Sequence, residues 1–271
     1  MSKLYLIGAG PGDPELLTLK AARVLSECDV VLYDRLVSAE VLRFSRPDAE
    51  LIYVGKHEGE QENIQSAIFD LILAHARQGK TIGRLKGGDP LVFGRGAEEW
   101  LLALEHGIAV ELVPGVSSAV AVPGLAGIPL TYRGVSQSFA VVTAHCHEGR
   151  TQDWAKSAAA DTLVVLMGVK NRAFIAQELL AAGRAADEPV AFIERGTLPG
   201  EKILESTLGR VAAGHTEVNS PAVFVIGQVV KLRERLTGST QAALEFAAPA
   251  RSDDSPRTSS AAPWPTQSST P

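Results

Sequence analysis

Cysteine is scarce in this chain of 271 residues: it holds two, Cys28 and Cys146, far apart. A pair so separated gives no disulfide framework, and a reducing cytoplasm is the simplest setting for it. Long apolar runs are missing as well. No stretch approaches the roughly 18 residues that a membrane-spanning helix requires, so no membrane partner is expected. Met1-Ser2-Lys3 leads straight into a strand-like run without the apolar h-region of a signal peptide, which again points to a cytoplasmic protein. Basic residues are in deficit: 26 Lys and Arg against 31 Asp and Glu give a net charge of −5. That balance argues against nucleic acid or an anionic membrane as a partner, because both want a broad basic face. It leaves room for a small anion held by a local group of bases. A metal pattern is also lacking. His145-Cys146-His147-Glu148 is crowded with donors but has no distant Cys or His set at zinc spacing, so no metal is expected. Ser117-Ser118 lacks the G-x-S-x-G surround of a hydrolase nucleophile.

Short apolar runs and glycine are what the chain does have. Strand-like runs at residues 3–7, 29–33, 50–54, 81–85 and 109–113 alternate with helical spacing. One helix should start at Asp13, a good N-cap with Pro14 in the first turn. A short one follows Ser38, a long one covers 63–78 and another covers 96–106. This β–α alternation predicts an α/β fold whose N-terminal sheet is mostly parallel, with helices on both faces. Its strands end in Gly, Asp or Lys, which lines up residues 8–13, Asp34, Lys56 and residues 87–95 along one edge. At that edge open α/β sheets take their ligands. Pro114, Gly115, Pro123, Gly124, Gly127 and Pro129 interrupt the pattern, and the domain hinge is placed there. Beyond it, strands at 138–143, 162–167, 189–193, 202–206 and 222–226 with intervening helices read as a C-terminal mixed sheet, antiparallel around a turn at 195–200. The expected domains are 1–114, 115–236 and a disordered Ser/Pro/Ala-rich tail at 237–271, which carries too little apolar surface to offset its ordering entropy.

The chemistry concentrates in residues 84–99, Arg-Leu-Lys-Gly-Gly-Asp-Pro-Leu-Val-Phe-Gly-Arg-Gly-Ala-Glu-Glu. Four glycines, two bases at the start and one Arg at the end far exceed what a plain strand–helix connection needs, and a binding loop is the better reading. Gly8-Ala9-Gly10-Pro11-Gly12-Asp13 fails the G-x-G-x-x-G dinucleotide pattern at Asp13, and fits a nucleotide turn and a simple capped turn alike. Asp34-Arg35 fits a rim ion pair or a general base with a cationic neighbour. Arg95 and Glu98 fit a helical ion pair, and Arg95 also fits a grip on a carboxylate.

Taken together, Gly8-Ala9-Gly10-Pro11-Gly12-Asp13, Tyr33-Asp34-Arg35-Leu36-Val37, Gly55-Lys56, the 84–99 stretch and Val113-Pro114-Gly115 resemble the tetrapyrrole (corrin/porphyrin) methylase family over residues 3–236, with the motifs in order. The Asp-Arg-Leu-Val and Gly-Arg-Gly-x-Glu-Glu pieces resemble its uroporphyrinogen branch. Ala97 stands where that branch commonly has a second glycine, and the His-rich run after Lys56 is shortened. The resemblance implies two α/β domains with the active site in the cleft between them, usually in a homodimer. It implies S-adenosyl-L-methionine as methyl donor, with no metal. The reaction would be methylation of uroporphyrinogen III at C-2 and C-7 to precorrin-2 through precorrin-1, for siroheme, cobalamin or haem d1 synthesis. Another precorrin or cobalt-precorrin methyltransferase, or a non-catalytic cofactor-binding regulator, are the rival readings. By position, the resemblance makes Asp34 the proton acceptor and Lys56 the proton donor, and ties Arg95 and Glu98 to substrate binding and catalysis. It puts Pro11, Gly87, Gly88, Asp89, Val92, Ser117, Ser118, Met167 and Gly196 around the cofactor. The octacarboxylate substrate would need local bases, for which Arg35, Lys56, Arg84, Lys86, Arg95 and Arg133 are candidates.

Overall fold

The structure is a computed structural model that describes residues 2–55, 64–145 and 152–238. β1 (Lys3–Gly8) is apolar on both sides, as a central parallel strand must be. Leu4 and Leu6 pack into one layer, and Tyr5 and Ile7 into the opposite one. The helix expected to start at Asp13 is split. The Asp13 carboxylate caps only a 3-10 turn, Pro14–Leu16; Thr18 then accepts from the Ala21 N–H and starts α1 (Leu19–Leu25) afresh. Two capping residues one turn apart make two starts. Cys28, behind α1, is buried, and burial pushes its thiol up to about 12, which leaves it unreactive.

β2 (Val30–Tyr33), α2 (Ala39–Leu42), β3 (Glu50–Tyr53), α3 (Ile64–Arg77), β4 (Thr81–Lys86), α4 (Gly96–Glu105) and β5 (Ala109–Val113) complete the first sheet. Its order is β3-β2-β4-β1-β5, parallel throughout. Ala21, Val24 and Leu25 of α1 and Val41 of α2 cover one face. Ile68 and Ile72 of α3 and Ala103 of α4 cover the other. The expected parallel α/β layer is present.

The second sheet follows α5 (Ser118–Leu125). It is built from β6 (Phe139–Thr143), α6 (Trp154–Ser157), β7 (Thr162–Leu166), α7 (Arg172–Ala181), β8 (Pro189–Glu194), β9 (Lys202–Thr207), α8 (Leu208–Ala212) and β10 (Ala222–Ile226). A 3-10 turn, Gln228–Lys231, and α9 (Leu232–Thr237) close it. The order is β6-β7-β10-β8-β9, with only β6 and β7 parallel. This is the mixed sheet expected, with β8 and β9 as the hairpin. Helix α5 was not expected, because Pro123 and Gly124 read as breakers. Pro123 is nevertheless inside it. Ala119, Val122 and Ala126 lie buried against Val164, Ala191, Ile193 and Val225 of the second sheet, and that packing outweighs the weak local propensity. Among the described residues no helix is long and apolar enough to cross a membrane. Lys56, Cys146, His147, Glu148 and residues 239–271 lie outside the described residues.

Candidate functional site

β1 and β4 are neighbours, and their crossovers leave toward opposite faces, α1 to one and α4 to the other. Between two such strands lies the crevice where open α/β sheets bind ligands. Here backbone closes it. The Gly10 N–H donates to the Gly88 carbonyl at 3.2 Å, the Gly88 N–H donates to the Gly10 carbonyl at 2.7 Å, and the Ala9 N–H donates to the Lys86 carbonyl at 2.8 Å. Ligand space is therefore on the outer side of these turns.

The glycines do something different from what their density implied. A Cβ on Gly8 would lie 2.7 Å from the Gly88 oxygen, and one on Gly115 would lie 2.7 Å from the Gly8 α-carbon. The turns after β1, β4 and β5 thus meet one another through bare backbone, not chiefly a ligand. Gly87 makes room for Leu36 of the turn after β2, its virtual Cβ falling 2.8 Å from the Leu36 Cβ. Gly88 is the exception. With φ at +67° and nothing nearer to a virtual Cβ than Ser117 Cα and Ser118 N at 3.9 Å, it faces open space beside the start of α5. Ser117 caps that helix by accepting from the Ala119 N–H. The Asp89 carboxylate ties two turns together, accepting from the Leu91 N–H at 2.8 Å and the Gly115 N–H at 3.1 Å.

The β8–β9 turn of the second sheet reaches the same place. Thr197 Oγ1 accepts from the Asp13 N–H at 3.2 Å, and Ser38 Oγ donates to the Gly12 carbonyl at 2.9 Å. Gly196 lies over α5, where a Cβ would come within 2.7 Å of Val122 Cγ2. So Gly88 lies beside Ser117 and Ser118, Asp89 is bonded to Gly115, Gly196 rests on Val122 of the helix that Ser118 opens, Gly87 packs on Leu36, and Pro11 sits in the Gly10–Gly12 turn. Val92 is exposed on the 84–99 loop between exposed Leu91 and Phe93, and Met167 is exposed just after β7. Phe93, Arg95, Met167, Arg195 and Thr197 are the non-glycine residues held at positive φ among the described residues. All five follow β4, β7 or β8. Strain of this kind gathers at functional sites.

Asp34 ends β2 with its side chain 28% exposed. One oxygen accepts from the Leu36 N–H at 3.3 Å, and the other lies 3.5 Å from Arg84 Nη2. Arg84 and Lys86 correct the expectation that they face a substrate. Both are buried, and both bind Glu99, itself fully buried: Arg84 Nε at 3.2 Å and Lys86 Nζ at 2.9 Å from its Oε1. Burial first, and then the Arg84 charge, push the Lys86 ammonium below its ordinary range, while Glu99 pulls the other way. Arg95 is exposed and forks onto Glu98, with Nε to Oε1 at 2.9 Å and Nη2 to Oε2 at 2.6 Å. That hydrogen bonding raises the affinity of Arg95 for its proton. Of the candidate substrate bases within the described residues, Arg35, Arg95 and Arg133 are the exposed ones. Glu99 is the residue sequence reasoning missed. It shares the inward face of α4 with Gly96 and Ala103, and Arg84 and Lys86 alternate with Leu85 on β4. Two bases at inward positions call for an inward acid.

The turn at 8–13 carries no base, and the two at the end of β4 are engaged with Glu99. Backbone donors and acceptors, serine hydroxyls and an exposed thioether are what the turns offer instead. That set fits a nucleoside-bearing sulfonium amino acid, whose carboxylate, ammonium and ribose need hydrogen bonds rather than a cationic cradle. Among the described residues no group of three or more His, Cys, Asp or Glu could hold a metal ion.

Residues 3–212 match the family model for Tetrapyrrole (Corrin/Porphyrin) Methylases. The chain is 45% identical over 236 residues to a uroporphyrinogen-III C-methyltransferase of Methanocaldococcus jannaschii, covering 85% of this chain and 97% of that protein. It is 45% identical over 240 residues to the siroheme synthase of Azotobacter vinelandii, where it spans 52% of the relative's length. Among solved structures, the uroporphyrin-III C-methyl transferase of Thermus thermophilus complexed with S-adenyl homocysteine superposes with a TM-score of 0.76 at 49% identity, over 85% of this chain and 94% of that one.

Proposed function

We propose, from the premise that this chain belongs to the tetrapyrrole (corrin/porphyrin) methylase family, that it is an S-adenosyl-L-methionine-dependent uroporphyrinogen-III C-methyltransferase. The observation that carries the reading is the likeness to the M. jannaschii enzyme across 97% of that enzyme's length. The glycine turns and the strained loops after β4, β7 and β8 supply the matching ground for a cofactor. In this reading Pro11, Gly87, Gly88, Asp89, Val92, Ser117, Ser118, Met167 and Gly196 hold the methyl donor, which supplies an electrophilic sulfonium methyl when bound. No covalent link to the protein is required, so positioning and electrostatics dominate. Asp34 accepts the proton that the alkylated tetrapyrrole releases, and Lys56 is the proton donor. The substrates are uroporphyrinogen III and precorrin-1, methylated at C-2 and C-7 in turn to give precorrin-2.

Arg95 and Glu98 take the substrate side. Arg95 must leave Glu98 to fork onto a substrate carboxylate, and both are half-exposed, so the exchange costs little. For Arg95→Ala the expected outcome is a KM for uroporphyrinogen III raised about tenfold or more, the loss of one charge-assisted contact. Binding of S-adenosylhomocysteine, read by titration calorimetry, stays within twofold. Equal loss of both contradicts the role.

We further read the chain as two domains, 1–114 and 115–236, working as a cytoplasmic homodimer. The boundary rests on α5, whose apolar side packs with the second sheet. Incubation with S-adenosylmethionine and uroporphyrinogen III, followed by mass analysis of the tetrapyrrole, tests the activity: two added methyl groups are expected. Transfer only to a later precorrin would move the chain to another branch of the family, and no transfer at all would make it a cofactor-binding regulator.

A further inference from the structure

We propose that Glu99 is a positioning residue for the methylation, holding Arg84 from inside the first sheet and so setting the cation that stands beside Asp34. The inference rests on the reading of Asp34 as the base. β4 turns Ile82, Arg84 and Lys86 toward α3 and α4, into a layer otherwise made of Leu4, Leu6, Leu32, Ile72 and Ala103. Two cations in such a layer require a counter-charge, since an unpaired buried charge is strongly unfavourable. Glu99 provides it. Its Oε1 meets Lys86 Nζ at 2.9 Å, Arg84 Nε at 3.2 Å and Gln65 Nε2 at 3.4 Å, while Oε2 is buried with no hydrogen-bond partner among the described residues. Arg84 Nη1 is fixed by the Leu32 and Leu85 carbonyls at 3.3 and 3.0 Å. Only Nη2 is left for Asp34, and it stands off at 3.5 Å.

Glu99 thus holds the guanidinium, and Asp34 lies 3.5 Å from its free end. Among the described residues the charged groups of the cluster are Arg84 and Lys86 from β4, Glu99 from α4 and Asp34 itself, and Arg95 at the start of α4 feels the Glu99 charge; α3 brings the neutral Gln65, and Arg35 is turned to solvent. If Glu99 loses its charge, Asp34 becomes the one carboxylate facing two cations, and it holds a proton less tightly. If Lys86 loses its charge, Glu99 serves Arg84 alone, and Asp34 holds a proton more tightly.

The test is the pH profile of kcat, with both substrates saturating, for Glu99→Gln and Lys86→Met. In Glu99→Gln the acid limb moves down by about one pH unit and the plateau falls about tenfold, as a weaker base predicts. In Lys86→Met the acid limb moves up. Affinity for S-adenosylhomocysteine stays within twofold in both. An acid limb lower in Glu99→Gln than in Lys86→Met supports the proposal; equal or reversed limbs overturn it. If Glu99→Gln does not fold, Lys86→Met decides alone, against the wild type: an upward shift supports, and an unmoved or lowered limb overturns. Asp34→Asn separates the premise from the inference. Full turnover in Asp34→Asn removes Asp34 as the base. Lost turnover there, with unmoved limbs in the other two, leaves the base in place and removes only the role of Glu99.

Discussion

Gly115 and Gly88 stand on neighbouring turns for different reasons, and alanine distinguishes them. A methyl on Gly115 runs into the backbone of Gly8 and Gly88, which cannot give without parting the turns after β1, β4 and β5. A methyl on Gly88 meets nothing closer than 3.9 Å, so its cost is that of holding a side chain at φ +67°, about 1–2 kcal/mol. Urea unfolding should find Gly115→Ala destabilised by about 3 kcal/mol or more and Gly88→Ala by no more than about 2 kcal/mol. Gly88→Ala should lose more cofactor affinity than its stability loss accounts for, because its methyl enters the open side next to α5. A second residue-scale expectation concerns Glu111. Hydrogen bonds from Lys20 and then Lys3, each at 2.6 Å, hold its carboxyl down at about 2. A carboxyl depressed in the fold contributes stability above its unfolded value of 4.5 and loses it as pH falls toward 2. Glu111 is one-third exposed, so the contribution is under about 1 kcal/mol. Across that window the wild type should lose stability more steeply than Glu111→Gln, and parallel slopes would refute the assignment.

At the scale of elements, the β8–β9 turn is seated on α5 by Gly196. A Cβ there would press on both Val122 methyls, an overpacking expected to cost about 1–3 kcal/mol. Val122→Ala removes those methyls, so the double variant should recover much of what Gly196→Ala loses, a coupling that a double-mutant cycle reads directly. Simple additivity would mean that the turn does not rest on Val122. The elements also show what a sequence discloses. Apolar runs of five or six residues separated by capped helices announced the ten strands of the described residues, because short apolar runs and N-caps leave local marks. Helix α5 left none, since its stability comes from Val164, Ala191, Ile193 and Val225, far away in sequence. The site divides in the same way. Glycine density marked the turns at 8–13 and 84–99, but that the glycines meet each other depends on the strand order β4-β1-β5, which no local pattern encodes. Arg84 and Lys86 looked like substrate bases because basic residues are usually solvated. The twofold alternation along β4 placed them inward, and following it across to the helical spacing of Gly96, Glu99 and Ala103 would have paired them with their acid.

At the scale of the molecule, the two sheets meet through turns, and the candidate cofactor residues lie on both sides of that meeting. The Thr197 hydroxyl, accepting from the Asp13 N–H, ties the β8–β9 turn to the turn after β1. A ligand bound there stabilises both halves at once. S-adenosylhomocysteine at 100 times its Kd should add about 2.7 kcal/mol, which for a chain of this size raises Tm by about 5–10 °C, and the chain should melt in one transition. Gly12→Ala probes the coupling without touching the cofactor positions themselves. Its methyl would lie 2.9 Å from Leu198 and 3.1 Å from Thr197 Oγ1, at a φ of +144° that a side chain rarely adopts, and so it wedges the β8–β9 turn away from the turn after β1. The variant should gain less than half of the wild-type rise in Tm at the same ligand concentration, because part of the binding free energy now goes into bringing the halves back together. A full rise in Gly12→Ala would mean that the first sheet alone holds the ligand, and a ligand-dependent split of the transition would mean the same.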